Sequence, residues 1–110
     1  MIVSKSDKKK IIKEIKIFGT KYKISEINFL EKEKGTAINY GETWVCHEKI
    51  NINKVAKGFD HKLATLLHEI FEVINEKLEL ELEHSNITRF ETAVFAVLKE
   101  NPEFVKLFLK

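Results

Sequence analysis

The stretch Leu66-Leu67-His68-Glu69-Ile70-Phe71-Glu72 organises the reading of this chain. Leu66, Leu67, Ile70 and Phe71 recur at spacings of three and four, the period of a helix with one apolar stripe. Extended both ways, the pattern predicts a helix from about His61 to Leu78. Leu63, Leu66, Leu67, Ile70, Phe71, Ile74 and Leu78 fall on its apolar face. His61, Thr65, His68, Glu69, Glu72 and Glu76 gather on the other. Gly58 closes the preceding connection, and Asp60 is placed to cap the helix.

The polar face carries the chemistry, if there is any. His68 and Glu72, four apart, lie one above the other and can supply two corners of a metal's coordination shell. Imidazole nitrogen and carboxylate oxygen suit zinc, which in catalytic sites takes three protein ligands and a water. Glu69, turned about 100° from His68, stands where a zinc-binding helix carries its general base. His84 is the candidate third ligand, provided that the chain reverses between Leu78 and His84. A solvated face explains the same string. Every amphipathic helix has a polar side, and the chain holds 17 acidic residues. Spacing alone leaves both readings open.

Upstream, the period changes from helical to alternating. Ile15 and Ile17 alternate with charged residues, Gly19-Thr20 offers a turn, and Tyr22 and Ile24 resume the alternation to about Ile27. Glu31-Lys32-Glu33-Lys34-Gly35 reads as a charged connection. A second strand pair follows, from Ala37 to Val45 with an interruption near Gly41, then from Lys49 to Asn53. Ile50 and Ile52 alternate with asparagines, so one face of that strand is buried. A three- or four-stranded antiparallel sheet is the simplest assembly. Between these strands, Cys46 and His47 point to opposite faces. A small buried thiol beside an exposed imidazole fits them better than metal binding.

Downstream, Ser85 or Asn86 is placed to cap a second helix reaching about Glu100. Ile87, Phe90, Val94, Val97 and Leu98 form its apolar side. Glu91 on that helix reads as solvated, with orientation of a metal ligand as the other option. Asn101-Pro102 stops the helix and starts a short third one. Phe104, Val105, Phe108 and Leu109 are expected to pack it onto the core. The fold class is therefore α+β: a small sheet, two main helices and a short C-terminal helix.

Composition bounds the function. The 110 residues, 44% hydrophobic and 33% charged, fit a single soluble domain over 13–110 behind a basic segment, 1–12. A net charge of +2 is too small to argue for nucleic acid. Lys5, Lys8, Lys9 and Lys10 lack the interleaved arginines and aromatics of a nucleic-acid arm and read as a solvated tail. No apolar run reaches the ~18 residues of a membrane span, and the charged start does not read as a signal peptide. The single cysteine excludes an internal disulfide. A cytoplasmic protein fits these features. There is no Gly-rich phosphate loop, no repeat and no nucleophile paired with a base.

The order of these parts resembles small phage and mobile-element proteins related to the ImmA/IrrE-type zinc metallopeptidases. The likeness lies in Thr65-Leu66-Leu67-His68-Glu69 after a sheet, and in His68 through Asn75 with Glu72 where the usual motif has histidine. It continues in Leu80-Glu81-Leu82-Glu83-His84-Ser85-Asn86-Ile87 and Val97-Leu98-Lys99-Glu100-Asn101, covering roughly residues 13 to 102. The resemblance implies a minimal zincin-like fold, with His68, Glu72 and His84 holding Zn2+ and Glu69 as general base in peptide-bond hydrolysis. It implies a protein or peptide as substrate or partner. The alternative is a catalytically inactive, phage-encoded binding or inhibitor protein that keeps the fold.

Overall fold

The structure, a computed structural model, describes residues 10–29 and 39–109. The basic run through Lys9, the charged connection Glu31 to Gly35 and the strand start at Ala37 lie outside the described residues. Ile11, within the expected N-terminal segment, packs in the core.

Four strands form one sheet in the order β1-β2-β4-β3. Strands β1 (Glu14–Ile17) and β2 (Thr20–Ile27) make the expected hairpin, closed by Phe18 and Gly19. Both turn residues have positive φ, 50° and 83°, the sense that matches the right-handed twist of a two-residue hairpin. Strands β3 (Gly41–Trp44) and β4 (Lys49–Asn53) also pair antiparallel. The expectation of a wholly antiparallel sheet needs one correction, because β2 and β4 run parallel, with Ile24 opposite Ile50. Burial explains the order. Strand β4 carries Ile50 and Ile52, both wholly buried, and takes an inner place. The more polar β3, with Glu42, Thr43 and a half-exposed Trp44, is left at the edge.

Three helices follow: α1 (Phe59–Lys77), α2 (His84–Glu100) and α3 (Pro102–Lys106), ending in a 3-10 turn at Leu107–Leu109. Leu66 and Val73 of α1 join Tyr22, Ile24, Ile50 and Ile52 in the core, with Ile70 and Ile74 packed against it. Each fully buried aliphatic side chain contributes about 1.5–3 kcal/mol. Among the described residues, no helix is long and apolar enough to cross a membrane.

Three sequence expectations are corrected. Asp60 does not cap α1: Gly58 holds that position without a side-chain bond, and Asp60 accepts from Lys99 Nζ at 3.1 Å. Cys46 is exposed, because Val45–His47 form a 3-10 turn instead of continuing the strand. Phe90, Phe104, Leu107, Phe108 and Leu109 are exposed, whereas Ile87 is the buried residue of α2. The apolar stripe of the C-terminal helices is real in sequence, but only its first turn reaches the core.

Candidate metal centre

The polar face of α1 is covered around His68 and Glu69, while Glu76 is exposed. Its Glu69 is only 6% exposed, and the His68 side chain 12%. Strand β3 covers one side of this face and α2 the other. Helix α1 therefore packs its apolar stripe on the sheet and the His68–Glu69 side between β3 and α2.

His68 and Glu72 stand one turn apart on α1, with Nε2 and Oε2 separated by 4.0 Å. The chain reverses after Lys77, and His84 opens α2 beside them. Its Nδ1 lies 3.7 Å from Glu72 Oε2, and its ring centroid lies 4.8 Å from that of His68. One donor atom from each of the three lies within 4.8 Å of the others. Tetrahedral zinc with bonds near 2.0–2.1 Å sets its donors about 3.3 Å apart. The trio is slightly wider than that, within reach of small side-chain rotations. The three residues expected from the sequence thus come together and can hold a metal ion. Cys46 and His47 do not join them.

Glu69 is largely buried and lines the same cleft. Thr43 Oγ1 donates to its Oε1 at 2.8 Å. Burial is the main force on its proton and pushes the carboxyl up from 4.5 to about 7. The Thr43 bond opposes this, while the neighbouring Glu72 and Glu42 carboxylates add to it. His68 is held below its ordinary value, first by burial and then by His84, with Glu72 opposing. Burial also raises Glu91. Neutral imidazole is the form that ligates a metal. The open cleft around these groups is lined by Glu42, Glu69, Glu72, Glu76, Glu79, Glu81 and Glu91, with no lysine or arginine among its lining residues. A cation at the trio would offset this uncompensated charge, so donor type, spacing and electrostatics all fit a divalent metal.

Sequence reasoning missed one contact of this centre and ranked another wrongly. Gly41 of β3 admits the Glu69 side chain: a Cβ there would stand 2.7 Å from Glu69 Oε2 and 2.8 Å from Thr65 Cγ2. Gly41→Ala is expected to cost roughly 1–3 kcal/mol of stability, as overpacking does. Thermal unfolding would check it; an unchanged midpoint would show that the carboxylate moves aside freely. Glu91, expected to be solvated, has a side chain only 13% exposed, with Oε1 3.8 Å from His68 Nδ1. A carboxylate behind a ligating histidine fixes its ring and raises its basicity. Glu91→Gln is expected to weaken zinc binding about 10–100-fold, measured by chelator competition. Equal affinity would remove Glu91 from the centre. Its place one helical heptad after His84 was a legible signal; the Gly41 and Thr43 contacts, made across the fold, had none.

The buried carboxyl has a pH signature in metal-free protein. Because the folded-state value of Glu69 lies above its ordinary 4.5, the unfolded chain loses this proton first. The stability it contributes is complete below 4.5 and lost as pH rises through about 7, a change on the order of 3 kcal/mol. His68, shifted downward, works in the opposite sense. The difference between wild type and Glu69→Gln in denaturant unfolding with chelator present isolates the Glu69 share. A pH-independent difference would contradict it.

Compared with models of known protein families, with curated proteins and with solved structures, the chain matches none.

Proposed function

We propose that this protein is a zinc-dependent metallopeptidase-like hydrolase, with His68, Glu72 and His84 as ligands and Glu69 as general base. The observation that carries the reading is the convergence of those three donors beside a buried carboxyl poised near neutrality. Zinc in such a site supplies Lewis acidity, bringing the pKa of a water to ~7 and polarising a carbonyl. The chain's own residues do the rest. Thr43 holds Glu69 through Oε1, leaving Oε2 to receive a proton and return it to the leaving amine. A group with a pKa near the working pH serves best in both directions. Burial by β3 keeps bulk water from Glu69. Among the described residues β3 ends the sheet, and that edge would offer backbone hydrogen bonds to an extended peptide.

The test pairs metal analysis with cleavage of a mixed peptide library read by mass spectrometry. About one zinc per chain and cleavage that stops with chelator would support the reading. Zinc without cleavage of any peptide would favour the second reading, a binding protein that keeps the fold. The observation behind that alternative is the exposed aromatic side of the C-terminal helices, including Phe90, Phe104 and Phe108.

A further inference from the structure

The third ligand is the least secured of the set. His84 has a side chain 75% exposed and stands at the start of α2, after a reversal that burial does not hold. Leu78, Leu80 and Leu82 are all exposed. The reversal begins with two backbone bonds that close α1: the Glu79 amide to Glu76 O at 3.3 Å, and the Leu80 amide to Asn75 O at 3.0 Å. Such a closure places one residue in the left-handed region, a position that favours glycine. Here it is Glu79, with φ 51°, and Glu81 follows with φ 57°. An L-residue enters that region at a steric cost. Such conformations persist only where the surroundings impose them.

We infer that Asn75 is a positioning residue for the metal centre, clamping Leu82 and thereby fixing the approach of His84 to Glu72. Its Oδ1 accepts from the Leu82 amide at 2.9 Å, and its Nδ2 donates to the Leu82 carbonyl at 3.3 Å. Two bonds to one residue fix its orientation as well as its place. Ile87, buried in the first turns of α2, anchors the helix body. The clamp determines how the chain enters that helix, two residues before the ligand. Asn75 also stands one turn after Glu72 on α1, so ligand and clamp share one rigid element. The side chain suits the task, because it is short and carries both a donor and an acceptor.

This inference rests on the metal reading above, and its test separates the two. Zinc affinity is measured by competition with a chromogenic chelator for wild type, Asn75→Ala, His84→Ala and the double variant. Asn75→Ala is expected to bind one zinc about 10–100-fold more weakly than wild type, the usual cost of losing an outer support. In the His84→Ala background the same change is expected to cost nothing further, because residues acting through one contact are not additive. Equal affinity of Asn75→Ala and wild type would overturn the clamp while leaving the metal centre standing. Additive losses would also overturn it, since a merely structural role acts regardless of His84. A wild-type chain without zinc affinity would overturn both readings. If the alanine variant does not fold, Asn75→Leu, close to asparagine in shape and unable to make either bond to Leu82, carries the same comparison.

Discussion

His84→Ala is expected to weaken zinc binding by more than about 100-fold and to remove most of the stabilisation that zinc gives, because it takes away one of three protein ligands. The effect on stability follows from linkage. A ligand held at 100 times its Kd stabilises the folded state by ≈ 2.7 kcal/mol. In a domain of this size each kcal/mol moves Tm by roughly 4–8 °C. Wild type with excess zinc is thus expected to melt on the order of 10 °C or more above the chelated protein, and the variant to show almost no difference. His84 is largely exposed and outside the core, so the chelated forms of the two proteins should melt alike. That control separates loss of a ligand from loss of the fold. Equal zinc-induced shifts in wild type and variant would dismiss His84 as a ligand.

Glu69→Gln is expected to lower peptide hydrolysis by about 10²–10⁴-fold, the range that a general base contributes, while zinc content stays at the wild-type level. Glutamine retains an oxygen to accept from Thr43 and nearly the same volume beside Gly41. It removes the proton acceptor and little else. Because Glu69 is not among the three converging donors, metal capture should not depend on it. The result would be sharpest in a peptide shown to be cleaved by wild type and protected by chelator. Full activity in Glu69→Gln would assign the proton transfer to another group. Loss of zinc together with activity would mean that the variant had disturbed the ligands.

Much of this was legible in the chain itself. The α+β class, the first hairpin, the strand at Lys49–Asn53, the helix of the motif and the short helix after Pro102 follow from period, turn residues and proline chemistry. Two residues four apart on a helix face and one histidine further on gave the candidate metal trio. The local pattern did not give the neighbour relations of the strands. Placing β4 beside β2 depends on which strand is most deeply buried, a property of the whole sheet. The same limit applies to Thr43 and Gly41, which meet Glu69 only because β3 ends up at that edge. Apolar spacing also overstated the core. Phe104 and Phe108 meet edge to face at 5.1 Å but remain exposed, because periodicity marks a stripe without saying what covers it.

The way β3 reaches Glu69 bears on how such a protein can change over generations. The metal donors belong to one continuous helical hairpin, from His68 to His84, assembled by contacts close in sequence. The surroundings of Glu69 depend on a strand encoded 26 positions earlier, at Thr43, and on the sheet that carries it. The candidate ion site and the pocket that surrounds Glu69 are therefore written in separate stretches of the gene. On the proposed function, a substitution at Gly41 or Thr43 would silence hydrolysis while leaving the hairpin's capacity to hold an ion, so an enzyme and an inert metal-bearing descendant would stand one codon apart.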